Sequence, residues 1–310
     1  MARLPAHIQT AIKSGNVPKI RNWRKIWKTH QDPAKMSTAE LVMVFAEEYL
    51  CVPEGEAVGN PLKITRFQEI FIYSCFEPDV DTAILSMARR NGKTLIVAVI
   101  CLALLLGPLS IPNRVLASAA MSRDQAALIF RAMSQMIEMS PELSGIAKVT
   151  PSGKRIVSLN NGSEYYAMSA DQSTGHGKSL AVVVLDESGQ ITAPNNPFVD
   201  MLRTSQGSYE HPLFITISTQ APADASWLSL QIDSATREQD PTVVCHVYEA
   251  GADAELTDKN SWISANPLIP DGFRSIKDLV KLSKSAEKLP AQEAGFRNLN
   301  LNQRVVQESL

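Results

Sequence analysis

Ser86-Met-Ala-Arg-Arg-Asn-Gly-Lys-Thr94 lies between two apolar runs of different kinds. Before it, Thr82-Ala-Ile-Leu85 is short and β-prone. After it, Leu95-Ile-Val-Ala-Val-Ile-Cys-Leu-Ala-Leu-Leu-Leu106 is long enough for a buried helix. The first turn of a helix carries N–H groups with no intrahelical partner, and the macrodipole adds partial positive charge there. A loop that aims those groups at one point can cradle phosphates. Strand, tight loop, Gly-Lys-Thr and helix is the context such a P-loop requires. Gly92 lets the backbone approach the ligand. With Asn91 it forms the cradle, Lys93 is expected against the β/γ-phosphates of ATP, and the Thr94 hydroxyl is expected on Mg²⁺. The usual pattern has a glycine five positions before Gly92, and Met87 stands there instead.

A second stretch fits the first. Ala181-Val-Val-Val-Leu-Asp-Glu-Ser188 is an apolar run ending in two adjacent carboxylates. It predicts a buried parallel strand delivering acids to its C-terminal edge, where ligands of open α/β sheets bind. This is the Walker B pattern. Asp186 is expected to hold the Mg²⁺ shell and Glu187 to orient the attacking water.

The chain has 310 residues, enough for one large or two modest domains with a substantial core. Its net charge is −2, so any nucleic-acid contact must come from a local basic surface. The four cysteines show no metal-ligand spacing and suit a reducing compartment. No signal-peptide core appears, and Leu95–Leu106 is too short to span a bilayer. These features predict a soluble, intracellular protein without a membrane partner.

Taken in order, residues 1–36 form a basic arm with Trp23 and Trp27 one helical turn apart. The arm reads either as a docking element for DNA or a partner subunit, or as a cap packed on the main domain. Ser37-Thr-Ala-Glu40 has the form of a capping box opening a helix. Phe67-Gln68 lies on a predicted helix ahead of the loop strand. Its carboxamide suits an adenine edge, and a core Phe beside a surface Gln is the plainer reading. Arg114–Ala120 reads as a strand and Ser122–Ile137 as a helix capped by Ser122. Arg123 then sits at the loop's sheet edge, as a charge sensor or as a solvated first-turn residue. Hairpins are expected between Val149 and Ala170, and Gly175-His176-Gly177 falls in a polar loop. Leu213–Ser218 reads as a buried strand whose end, Thr219-Gln220, is placed to sense the γ-phosphate. From about Ala250 the character changes: a compact turn at Trp262–Pro267, then a charged helix from Ser275 to Lys288.

In this order the motifs resemble the ATPase half of large terminase subunits from tailed phages with HK97-like packaging machinery. The likeness rests on Phe67-Gln68, the glycine-poor loop ending Gly92-Lys-Thr94, Ser122–Ala126, Gly175-His176-Gly177 ahead of Leu185-Asp-Glu187, and Ile217–Gln220. It continues through Trp262, Ala265-Asn-Pro267 and Phe296–Asn302. It implies an α/β P-loop NTPase of the ASCE/RecA-like type, with a mainly parallel sheet flanked by helices and a small C-terminal linker subdomain. The expected division is an arm at 1–36, an ATPase domain at 37–250 and a linker at 251–310. It also implies ATP-driven translocation of double-stranded DNA by a ring, usually a pentamer, on the portal protein, in the host cytoplasm, with DNA delivered by a small terminase subunit. Arg89 or Arg90 would act in cis, and Arg123 or Arg155 in trans. Large terminases normally continue into a two-metal nuclease domain, and this chain has no room for one before Leu310. The competing readings are another helicase-like P-loop ATPase or a nucleotide-binding scaffold in a ring assembly.

Overall fold

Strand β1 (Thr82–Met87) is buried along its whole length and hands the chain to helix α3 (Lys93–Leu105). Among the described residues two helices precede it, α1 (Thr38–Tyr49) and α2 (Arg66–Cys75). The computed structural model describes residues 36–170 and 178–305. The basic arm and the Gly175-His176-Gly177 loop therefore lie outside the described residues. Local signals open the helices, at Ser37 as the sequence reading expected. Ser37 Oγ accepts from Glu40 N–H (3.3 Å), and Ser37 N–H donates to Glu40 Oε2 (2.6 Å). Thr65 N–H donates to Gln68 Oε1 (2.9 Å) at the start of α2.

After α3 come β2 (Val115–Ala120), α4 (Arg123–Glu138) capped by Ser122, α5 (Pro141–Ser144), and strands β3 (Ala147–Thr150), β4 (Arg155–Ser158) and β5 (Glu164–Ser169). Then follow β6 (Val182–Asp186), a 3-10 turn at Ser188–Gln190, α6 (Pro197–Thr204), β7 (Leu213–Ser218), α7 (Trp227–Glu238) and β8 (Val243–Tyr248). The described part closes with α8 (Lys259–Ala265), α9 (Ile276–Lys288) and α10 (Pro290–Leu301).

One sheet runs β3-β4-β5-β2-β6-β7-β1-β8. From β5 to β8 the neighbours are parallel, and β3 and β4 extend the β5 edge as an antiparallel meander. The additional strand β7 separates β1 from β6, the arrangement of the ASCE class of P-loop NTPases. Because these strands are parallel, the segments following β1, β2, β6, β7 and β8 all leave from one edge of the sheet.

Side chains alternate between two apolar clusters, as the pleat requires. Ala83, Leu85 and Met87 enter one and Ile84 the other; Val182 and Val184 oppose Val183 and Leu185. Burial on both faces explains the unbroken apolar runs of β1 and β6. A third cluster joins Trp262, Leu279, Ala286 and Phe296 from the C-terminal helices. Trp262 lies within helix α8, where the sequence reading expected only a compact turn. The missed signal is Asp258, whose carboxylate accepts from Asn260 and Ser261 N–H (both 3.0 Å) and starts the helix. Among the described residues no helix is long and apolar enough to cross a membrane.

His246 on β8 is buried, with Nε2 3.0 Å from Ser74 Oγ and its ring edge-on to Phe71. Burial pushes the imidazole down to about 4. The folded state therefore binds fewer protons than the unfolded chain between about pH 4 and 6.5. Its contribution is complete above 6.5 and is lost as pH falls through 4. Between pH 7 and 5, urea unfolding should show wild type losing about 2 kcal/mol more than His246→Gln.

Candidate active site

The loop leaving β1 makes two left-handed turns, at Arg90 (φ 63°) and Gly92 (φ 73°). Gly92 tolerates this conformation, and it is the residue that opens α3. A Cβ there would stand 3.5 Å from Gln68 Nε2 and 3.6 Å from Leu268, so Gln68 abuts the loop from below. Arg90 holds its left-handed backbone while its guanidinium reaches Asp278 on α9 (2.9 Å). Arg89 is exposed, and its N–H donates to Leu299 O on α10 (2.9 Å). Asn91 is buried and turned inward: Nδ2 donates to Ala88 O (3.1 Å), Arg89 O (3.1 Å) and Asn266 Oδ1 (2.8 Å).

Lys93 is the first residue of α3 and is 7 % exposed. Its Nζ folds back over the loop, donating to Met87 O (2.8 Å) and Ala88 O (3.1 Å). Burial pulls the ammonium down to about 8, the Glu187 and Asp186 carboxylates pull it back up, and Arg89 adds to the lowering. Thr94, one residue on, is half-buried.

Asp186 ends β6 and is 3 % exposed. Burial pushes its carboxyl up to about 7, and Glu187 pushes the same way against the opposing pull of Lys93. Among the described residues its Oδ2 has no hydrogen-bond partner. A buried, unpaired carboxylate oxygen is expensive, and a cation is the partner that suits it. Asp186 with the Thr94 hydroxyl on the neighbouring helix start is an all-oxygen donor set that fits Mg²⁺.

Glu187 is half-buried and left-handed (φ 51°), a conformation costing a non-glycine residue about 1–3 kcal/mol. Its N–H is held by Ile217 O on β7 (2.8 Å). Two residues on, Gly189 N–H donates to Ser218 Oγ (2.9 Å). Sequence reasoning passed over Gly189, although it directly follows Asp-Glu-Ser. A Cβ at this position would fall 2.6 Å from Thr219 O, so only glycine lets this turn lie on the end of β7.

Lys93, Asp186 and Glu187 thus share one electrostatic neighbourhood, with Arg89 and Thr94 beside them. Other predicted residues stand apart from it. Phe67 is 1 % exposed and packs edge-on against Tyr248. Thr219 is buried. Gln220 directs its carboxamide to Asn302 O (3.0 Å), Glu249 and Arg304 (2.7 Å). Arg123 begins α4, and β2 lies three strands from β1, roughly 14 Å across the sheet. Arg155 pairs with Glu164 on the meander.

A further set of polar residues went unassigned in the sequence. Asn302 (φ 55°) donates to Ser86 Oγ (3.1 Å) and Tyr248 O (3.0 Å), and accepts from Gln220 N–H (2.8 Å). With Asn266 and Asp278 it ties residues 259–302 to the loop after β1. For Asn266 and Asn302 the only signal was their place in the Ala265-Asn-Pro267 and Phe296–Asn302 motifs, and Asp278 had none.

A family model for the terminase large subunit ATPase domain matches residues 66–236, over the loop, both carboxylates and the end of β7. This chain belongs to that family. The terminase large subunit of Enterobacteria phage HK97 is 45% identical over 272 residues, covering 87% of this chain and 54% of its own length. The crystal structure of the HK97 large terminase superposes with a TM-score of 0.82 at 44% identity, covering 87% of this chain and 56% of that one. The Thermus phage P74-26 large terminase ATPase domain shares the fold, with a TM-score of 0.55 at 16% identity, over 75% of this chain and 92% of that one. This terminase chain spans about half the length of the HK97 relatives.

Gly189→Ala should destabilise the protein by about 1–3 kcal/mol, because Thr219 O is backbone and cannot turn aside. Urea denaturation would register the loss as a lower midpoint with unchanged m.

Proposed function

We propose that this chain is the ATP-hydrolysing motor part of a terminase large subunit, and that it drives double-stranded DNA into a procapsid. The observation that carries this reading is the meeting of Lys93, Asp186 and Glu187 at one sheet edge, with Asp186 Oδ2 buried and unpaired among the described residues. Membership of the terminase family supports the choice of substrates. On this reading Lys93 exchanges the carbonyls of Met87 and Ala88 for the β/γ-phosphates of ATP. The backbone N–H groups of the Asn91–Thr94 turn cradle the phosphates. Gln68, against Gly92, and the neighbouring Phe67 helix position the adenine end. Thr94 and Asp186 hold Mg²⁺, which when bound neutralises charge on the phosphates. Glu187 accepts a proton from the attacking water, and its backbone is anchored to β7 through Ile217 O.

Arg89 or Arg90, both on the loop itself, serves the transferring phosphoryl in cis, and in this structure the Arg90 guanidinium is held by Asp278. Arg123, at the same edge but distant from Lys93, suits a neighbour's site in a ring, where such an arginine is worth about 10³–10⁵ in rate. Thr219 and Gln220 report phosphate loss: Thr219 touches the Glu187 turn, and Gln220 is gripped by Asn302 and Arg304. The ring (a pentamer), the portal protein and the small terminase subunit are the proposed partners, acting in the host cytoplasm.

ATP turnover tests the assignment. Lys93→Ala should abolish it together with nucleotide binding. Glu187→Gln should lower it about 10²–10⁴-fold while binding survives. Unchanged turnover in Glu187→Gln would overturn the choice of base. Turnover that rises more than linearly with protein concentration would support an arginine supplied by a neighbour.

A further inference from the structure

Helix α9 has two unlike faces. Leu279, Ser283 and Ala286 are buried, in or against the cluster of Trp262 and Phe296. On the opposite side stand Lys277, Lys281, Lys284 and Lys288, all exposed. At 3.6 residues per turn these four fall within an arc of about 60°, and at 1.5 Å per residue they form a row about 16 Å long. None of them forms an ion pair among the described residues. Arg274 to Lys288 holds five cations against two carboxylates, in a chain whose net charge is −2. One of those carboxylates, Asp278, is taken by Arg90 and Arg274 (both 2.9 Å) and does not face the row.

We propose that the lysine row of α9 is a surface that grips the phosphate backbone of duplex DNA. This rests on the translocase reading above and supplies the contact it lacks. The row's chemistry selects the partner. Lysine is a flexible point charge, suited to phosphates and not to base edges. No aromatic side chain interrupts the row, so it offers nothing on which single-stranded bases would stack. A membrane-surface helix needs its apolar face free, and here that face is already buried in the protein. The position also suits a motor. Asp278 is next to Lys277 and holds Arg90 of the loop after β1, so a change in the loop on nucleotide binding reaches the row through one ion pair.

Fluorescence anisotropy with two unrelated 30-base-pair duplexes over a salt series tests the surface. Each phosphate contact contributes a slope of about −0.9 in log K against log salt. The quadruple variant Lys277→Ala, Lys281→Ala, Lys284→Ala, Lys288→Ala should lose about 3–4 units of slope, equally on both sequences. Lys284→Ala alone should lose about 0.9. A Lys63→Ala, Lys148→Ala control should keep the wild-type slope, and circular dichroism verifies folding. An unchanged slope in the quadruple variant, or no duplex binding by wild type, would overturn the proposal. So would a variant that keeps its duplex affinity and loses affinity for phosphatidylglycerol vesicles instead. ATP turnover of the wild type, measured on the same sample, separates the two readings. Turnover with an unaltered slope fails the surface alone, and a slope loss without turnover fails the motor alone.

Discussion

An ammonium and a carboxyl group are buried at the same edge of the sheet without forming a direct ion pair. Lys93 satisfies itself on the carbonyls of Met87 and Ala88, and among the described residues Asp186 leaves one oxygen with no partner. Each pays desolvation that the other only partly offsets, which is why burial dominates both shifts. Folding alone does not account for such a pair, because apolar residues would serve the core better. The arrangement makes sense for a triphosphate and its cation, which supply the missing charge and the missing ligand together. The parallel sheet imposes the geometry: β1 and β6 run the same way, so their ends must meet at one edge.

The C-terminal segment attaches to that edge through side-chain and backbone hydrogen bonds, with Leu268 packed into the main core beside Gly92. Asn91 bonds Asn266, Arg90 pairs with Asp278, and Asn302 spans β1, the end of β7 and β8. The apolar residues of its helices gather in a separate cluster around Trp262 and Phe296.

The central architecture was legible in the sequence because each of its signals is local. Apolar runs doubly buried in a parallel sheet announce β1, β6 and β7. Ser37 and Ser122 announce helix starts, and Gly92-Lys-Thr94 and Asp186-Glu187 mark the two segments that the fold brings to one sheet edge. The illegible parts depend on long-range contacts. Nothing near Asn302 in the sequence indicates that Ser86 and Gln220 lie beside it. Gly189 reads as an ordinary turn glycine until Thr219 O is found against it. Asn91 reads as a phosphate ligand from its place in the loop, and only the fold shows its amide turned toward Asn266. Helix α8 was lost because its cap, Asp258, lies in a polar stretch without apolar periodicity.

The pairing of Asp186 with a bound cation is the point on which this account of the site stands. Calorimetric titration with the β,γ-imido analogue of ATP, with and without Mg²⁺, tests it most directly. Wild type should bind more tightly when Mg²⁺ is present. Asp186→Asn, which removes the charge and keeps the shape, should bind equally with and without it. A Mg²⁺ effect of the same size in Asp186→Asn would contradict the account and place the cation elsewhere.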